Sequence, residues 1–274
     1  MINTLHFKRL IFCLLVVLGI AATLYYWNKD SKKDVLKRTL EFPIQEGTNM
    51  HLDVSPDGQT LLVELLGDIY TLPVTGGAAT QHTQGVANNT NPIWLSDGHH
   101  FACLNDSLGD YGLRVSDFSG HSTYFTGSYN PSDSYNPAVI FHHHSQDSLW
   151  IGGMPVSIKT GKGAKTALQR YMIGSTHKGQ ETYYIGRSGV TQKKTTTGRE
   201  TIIDSLKYRD MQAIKIAPNG EIIAFSRPMT TEGKQAFYIK NIKTGMEQRL
   251  LVAFDIYAKG LSFSPDSKYI YLPV

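Results

Sequence analysis

The run from Leu52 to Gly85, LDVSPDGQTLLVELLGDIYTLPVTGGAATQHTQG, decides the fold. Read with its flanks, His51 to Val54 alternates, Ser55-Pro56-Asp57-Gly58 turns, and Thr60 to Leu66 has the composition of a buried strand. Gly67-Asp68 turns again, Ile69 to Val74 alternates, Thr75-Gly76-Gly77 turns, and Ala78 to Thr83 closes the unit. Short apolar or alternating runs separated by turn residues predict strands, and no stretch carries a helical period long enough to compete. The 34 residues from Met50 to Thr83 therefore predict four strands.

The residues of the turn have separate physical reasons. Pro56 presets φ near −65°, Asp57 bonds the local backbone, and Gly58 accepts the positive φ that ends the turn. The same punctuation returns as Leu95-Ser96-Asp97-Gly98, Ala217-Pro218-Asn219-Gly220 and Ser264-Pro265-Asp266-Ser267, each between two short apolar runs. Asp57 and Asp97 are 40 residues apart, Asn219 and Asp266 are 47 apart, and the interval between Asp97 and Asn219 is 122. That interval is close to three units of about 40, the period of a four-stranded propeller blade. Two degenerate units fill it: Asn136 to Leu168, turning near Asp147, and Arg170 to Asp204, turning near Lys178-Gly179. Ser128 to Asn136 reads as an inserted loop.

The expected fold is all-β: a β-propeller over residues 36–274, with five blades and an incomplete sixth made of Leu261 to Phe263 and Tyr269 to Leu272. Lys37 to Ile44 is the available closing strand, and one strand would still be missing. An open apolar edge at Tyr269, Ile270 and Tyr271 is a liability that chains usually cover, so the sequence reads as the front portion of a longer protein.

Residues 1–30 predict a separate segment. Leu10 to Trp27 is eighteen residues, apolar or Gly except Thr23, after Lys8-Arg9. As a helix it would reach about 27 Å, close to the thickness of a hydrocarbon core. Gly19-x-Ala21 offers a signal-peptidase pattern, but apolarity continues to Tyr25-Tyr26-Trp27, the aromatics of a membrane interface. The reading is one N-terminal transmembrane helix or signal anchor, with a cleaved signal peptide as the alternative. Lys29, Lys32, Lys33, Lys37 and Arg38 follow the span, so a bare positive-inside count would put the larger part in the cytoplasm.

Composition narrows the partners. The chain is 41% hydrophobic and 18% charged, which excludes a disordered tail. The net charge is +4, and removing Lys8 and Arg9 leaves 25 basic against 23 acidic groups. Such a balance, without a dense basic stripe, gives no argument for nucleic acid. The cluster Lys159, Lys162, Lys165 and Arg170 reads as a solvated turn face. Of the two cysteines, Cys13 lies in the apolar run and Cys103 is left unpaired, a small hydrophobe by default.

These motifs resemble the TolB-type, WD-repeat-like propellers of bacterial envelope proteins. The first unit, residues 52–85, is similar to the opening blade found where such a propeller precedes a metal-dependent amidohydrolase domain. The likeness is specific over residues 49–127, looser over 211–273 and poor between. His99-His100 before an apolar strand and Ser267 in place of the turn Gly depart from the pattern. The resemblance implies an exported, membrane-tethered propeller of the cell envelope, in the inner membrane or periplasm, that gates substrate or binds a protein or peptide at its channel or rim. A stand-alone envelope interaction module and the propeller part of a prolyl-oligopeptidase-type peptidase are the alternatives. A His-x-His barrel, a Gly-x-Ser-x-Gly motif or a stop codon downstream of Val274 would distinguish them.

No residue is assigned a catalytic or cofactor-binding role, and no cofactor is expected. His142 and His144 share a face if their segment is a strand and are the weak metal candidates. The amidohydrolase pair, however, belongs at the end of a barrel strand, and no alternating strand and helix pattern follows here. Ser188, in Gly186-Arg187-Ser188-Gly189, lacks the spacing and strand-to-helix elbow of a nucleophile. Lys162 to Thr166 lacks the Gly that a phosphate loop needs before its Lys. Asp57, Asp68, Asp97 and Asp266 recur at the blade period and read as turn formers. Trp94, Trp150, Tyr183, Tyr184, Phe225, Tyr238 and Tyr257 read as packing between blades.

Overall fold

The chain divides into two compact units, Met1–Gln45 and Glu46–Val274. A computed structural model describes residues 50–127, 140–142, 147–151, 154–163, 171–176, 181–185, 191–195, 197–204, 214–229, 235–253 and 260–272, all in the second unit. The described residues form strands and turns and no helix. The first sheet holds β1 (Leu52–Val54), β2 (Thr60–Leu65), β3 (Asp68–Pro73) and β4 (Thr80–Gln81). The second holds β5 (Asn89–Trp94), β6 (His100–Asn105), β7 (Gly112–Asp117) and β8 (Ser122–Phe125). In the third are β9 (Ile140–His142), β10 (Ser148–Ile151) and β11 (Met154–Ser157). The fourth comprises β12 (Tyr171–Ser175), β13 (Glu181–Ile185), β14 (Thr191–Thr195) and β15 (Glu200–Asp204). The fifth comprises β16 (Ile214–Ile216), β17 (Ile222–Pro228), β18 (Gln235–Asn241) and β19 (Glu247–Ala253), and β20 (Ser262–Phe263) with β21 (Ile270–Tyr271) makes the sixth. Each is an antiparallel meander, so turns after first and third strands lie at one end of a sheet and turns after second strands at the other.

The first strands stand side by side in chain order: β1 beside β5, β5 beside β9, β9 beside β12 and β12 beside β16, with β20 beside β1. The sixth sheet joins the fifth to the first. Ala224 and Ile239 pack with Leu261, Phe263, Ile270 and Leu272, and the Asn219 N–H donates to Ser267 Oγ at 3.0 Å. On its other side Gly260 lies against the backbone of Met50, His51 and Leu52, where a Cβ would come within 2.6 Å of His51 Cα. The succession of sheets thus returns to its start, as in a propeller with four full four-stranded blades among the described residues.

The recurring turns are what their residues dictate. Gly58 N–H donates to Ser55 O at 2.8 Å with φ +74°, and the Asp57 carboxylate accepts from Ser55 Oγ at 2.5 Å and Gln59 N at 3.0 Å. The Ser55 hydroxyl holds the Asp57 carboxyl below its ordinary pKa. Asp97 accepts from His99 N, Asn219 from Glu221 N, and Asp266 from Ser264 Oγ and Lys268 N, so these acidic and amide side chains are turn formers as expected. Ser267 takes the glycine's role directly, with φ +61° and its N–H on Ser264 O at 2.9 Å. Because Gly58 holds a positive φ of +74° that a β-branched residue adopts only under strain, Gly58→Val is expected to cost about 1–3 kcal/mol. Unchanged thermal melting of that variant would contradict the turn assignment.

The core sits between sheets. Leu62 and Ile69 of the first meet Trp94, Phe101 and Cys103 of the second, while Ala102, Leu104 and Leu113 on the second sheet's opposite face meet Leu149, Ile151 and Val156 of the third. Ile173 and Tyr183 of the fourth meet Ile216, Ile223 and Phe225 of the fifth. Strand alternation produces these two-faced sheets, since residues i and i+2 share a face. Trp94, Tyr183, Tyr184 and Phe225 are buried as packing residues, and Phe225 stacks on Tyr238 at 5.6 Å. Tyr257 lies outside the described residues, as do residues 1–30, the Lys37 to Ile44 closing strand, Ser188, His144 and the positions after Gly163 in the Lys162 to Thr166 loop.

The two degenerate units are where their spacing put them, with two local differences. Among the described residues the third sheet has three strands, with Val156 and Gly163 bridging beyond them. The sixth sheet's paired residues are shorter than the expected runs, Ser262–Phe263 against Ile270–Tyr271.

Candidate functional site

The first strands β1, β5, β16 and β20 end in the same turn, so the position two residues before that turn is equivalent among these sheets. In these strands it is occupied by Asp53, Ile93, Lys215 and Ser262. Three of the four are polar, and they belong to adjacent sheets: the fifth, sixth and first. Asp53 ties its neighbours together, accepting from Ser262 Oγ at 2.8 Å and from the Trp94 N–H at 2.9 Å. Lys215 has no hydrogen-bond or ion-pair partner among the described residues. It keeps partial solvent contact but is packed closely enough that burial lowers its ammonium pKa, an effect Asp53 opposes through its charge. The inner wall therefore presents a desolvated ammonium beside a carboxylate that is already saturated.

A second polar group lies toward the other end of the first strands. Glu64 Oε2 pairs with His51 Nδ1 at 2.8 Å and accepts from Thr90 Oγ1 at 2.7 Å and Asn91 N at 3.1 Å. Asn91 precedes Pro92 at φ +53°, within a register shift between Thr90 and Ile93. A bulge there turns the amide onto the carboxylate and re-aims the strand. Glu64 thus fastens the second sheet to the first with a charge-assisted bond.

Behind it, Asn89 organises a buried network. Its Oδ1 accepts from Arg114 Nη1 and Asn105 Nδ2, each at 2.9 Å, and its Nδ2 donates to Gly67 O at 2.9 Å. Arg114 also donates to Ser122 Oγ and lies under the Tyr124 ring. Among the described residues, the buried guanidinium faces neutral oxygens and an aromatic face rather than a carboxylate.

Among the described residues, the candidate nucleophile arrangements fail on geometry or burial. Ser119, His121 and Asp117 gather in the turn after β7, but Ser119 Oγ, at 2.8 Å, and Asp117 Oδ2, at 3.2 Å, both lie on His121 Nδ1. A relay needs the nucleophile and the carboxylate on opposite ring nitrogens. Cys103 is buried and its thiol is pushed up to about 12 by burial, so it is no nucleophile at neutral pH. Among the described residues no three His, Cys, Asp or Glu side chains form a metal-holding group. His142 lies in β9.

Sequence reasoning passed over Asp53, Lys215, Ser262 and Glu64. The available signal was a polar residue between two apolar ones in a short first strand, Leu52-Asp53-Val54 and Ile214-Lys215-Ile216. That pattern also describes any half-exposed strand, so it does not single them out.

One titrating group is expected to show in solution. His82 is packed edge-on against Phe118 at 4.9 Å and bonds Thr71 Oγ1 at 2.7 Å, and burial lowers its pKa from 6.5. The unfolded chain then binds the proton more readily than the folded one. His82 therefore contributes full stability above about pH 6.5 and loses it as pH falls below that value. Melting temperatures between pH 7.5 and 5 should drop less in His82→Gln than in the unsubstituted protein.

No family profile and no curated protein matches the chain. Among solved structures, it is similar to a TolB-type protein of Agrobacterium tumefaciens, with TM-score 0.59 and 15% identity over 81% of this chain and 88% of that one. TolB of Acinetobacter baumannii follows with TM-score 0.56 and 14% identity over 75% of this chain; the match spans 56% of that protein. Hydrazine synthase of Kuenenia stuttgartiensis gives TM-score 0.51 and 14% identity over 87% of this chain and 76% of that one. At these identities the likeness shows the propeller fold.

Proposed function

We propose that this chain is a TolB-like interaction module whose inner wall receives part of a protein or peptide ligand, held at the cell envelope by its N-terminal segment. The observation that carries the reading is Lys215: an ammonium on the inner wall, partly shielded from water and without a bonded partner among the described residues, beside an Asp53 whose oxygens are both engaged. A partly desolvated charge is costly to the fold, and an acceptor brought by a ligand would relieve that cost. The TolB-type fold neighbours support the module. The apolar run Leu10 to Trp27 after Lys8-Arg9 supports the tether. The finer version, in which the propeller gates substrate for a downstream amidohydrolase-type domain, has the motif of residues 52–85 in its favour. It stands or falls on whether codons after Val274 encode a barrel bearing His-x-His.

The module is tested by Lys215→Met in the full chain. Removing a desolvated ammonium is expected to raise stability by on the order of 1 kcal/mol. Peptides selected from a displayed random library on the unsubstituted protein are expected to bind the variant about tenfold or more weakly. Selected peptides that bind both proteins equally would remove the inner wall from the ligand site.

A further inference from the structure

Three exposed apolar residues in the connections of the first two sheets lie at the end opposite the Pro-Asp-Gly turns. Leu66 lies in the turn between β2 and β3, Val86 in the connection from β4 to β5, and Leu108 in the turn between β6 and β7. Their exposures are 68% for Leu66 and 58% for Leu108, and Val86 is fully exposed. Meander topology places all three segments at the same end of the first two sheets.

The three segments form one built surface. Gly67 O accepts from both Asn89 N, at 2.8 Å, and Asn89 Nδ2, at 2.9 Å, tying the Leu66 turn to the Val86 connection. Asn88 N donates to Asp106 Oδ1 at 2.7 Å and Asn88 Nδ2 to Tyr111 Oη, tying that connection to the Leu108 turn. A side chain on Gly67 would strike Asn88 Oδ1.

Leu66 breaks two local rules at once. It occupies the first central position of a two-residue hairpin, with φ +52° followed by Gly67 at φ +83°, where Asn or Gly is favoured. It also holds a large apolar side chain in water. Neither choice serves the hairpin, and such joint violations mark functional positions.

Charge selects the occupant. Residues 64–69, 84–91 and 105–111 contain Glu64, Asp68, Asp106 and Asp110 and no Lys or Arg. Asp110 is exposed, Asp68 and Asp106 are partly so, and Arg114 is buried behind Asn89. An acidic rim repels the anionic surface of a bilayer and attracts cationic protein. We infer that Leu66, Val86 and Leu108 form a docking surface for a basic amphipathic segment of a partner protein, distinct from the inner-wall site.

The test uses the full chain, a Leu/Lys amphipathic peptide and a Leu/Glu peptide of the same pattern. Saturable binding of the Leu/Lys peptide is expected, with affinity falling about tenfold or more in Leu66→Asn/Val86→Ser/Leu108→Ser and no binding of the Leu/Glu peptide. Leu66→Asn alone should raise the melting temperature while weakening binding, which separates docking from misfolding. No saturable binding, equal binding by the triple variant, or equal binding of the Leu/Glu peptide overturns the inference. A self-association abolished by the triple variant would overturn it in favour of a second copy. Binding to phosphatidylserine vesicles abolished in the same way would overturn it in favour of lipid.

Discussion

Phe101→Ala is expected to lower the unfolding free energy by about 3–5 kcal/mol, read from urea denaturation of the full chain. Phe101 is completely buried near the start of β6, where it pairs with Trp94 on one side and Ser116 on the other. Its ring packs among Leu62, Ile69, Trp94 and Cys103, with Phe118 at 5.3 Å. That cluster is the contact between the first and second sheets, and backbone on either side is held by strand pairing, so the cavity cannot collapse. Tyr269→Ala, at an exposed position of the sixth sheet, should change stability by only about 0.5 kcal/mol. Comparable losses from the two substitutions would mean that the first two sheets do not share a packed interface.

Asn89→Ala should be nearly as damaging, by about 2–4 kcal/mol, although no apolar contact is its main loss. Alanine would withdraw the acceptor of Arg114 Nη1 and Asn105 Nδ2 and the donor to Gly67 O in a single change. A buried guanidinium stripped of an acceptor keeps its desolvation cost and loses its compensation. The signature is non-additivity. Arg114→Met combined with Asn89→Ala should cost less than the two single losses together, because Arg114→Met removes the charge that Asn89→Ala leaves unsatisfied. Strict additivity would show that Arg114 finds its stabilisation elsewhere, for example from Ser122 and the Tyr124 ring.

How far the sequence could be read follows from the range of each interaction. Asp57, Asp97, Asn219 and Asp266 bond atoms within a few residues of themselves, so turn chemistry alone identified them correctly as formers of the repeated turn. Ser267 adopts the positive φ at a position where glycine was expected because the surrounding turn bonds hold it there. Two degenerate units inside the long interval were also located, since their apolar runs keep strand alternation after the Pro-Asp-Gly punctuation is gone.

The candidate site was not legible in the same way. Asp53 and Ser262 are 209 positions apart and Asp53 and Lys215 are 162 apart, yet the return of the sixth sheet to the first brings them to one arc. Leu66 looked like the last residue of a buried strand; only the two-residue hairpin pairing Leu65 with Asp68 leaves it outside, in water and at positive φ.

By itself, then, the chain's order of residues determined the strands, their turns and the repeat, because these rest on backbone preferences and period-two alternation acting over a few positions. Tertiary structure alone decided which polar residues share the inner wall, which charges lose their water, and which apolar side chains keep it. Those depend on how whole sheets are stacked around the ring, a geometry that no short window of sequence contains.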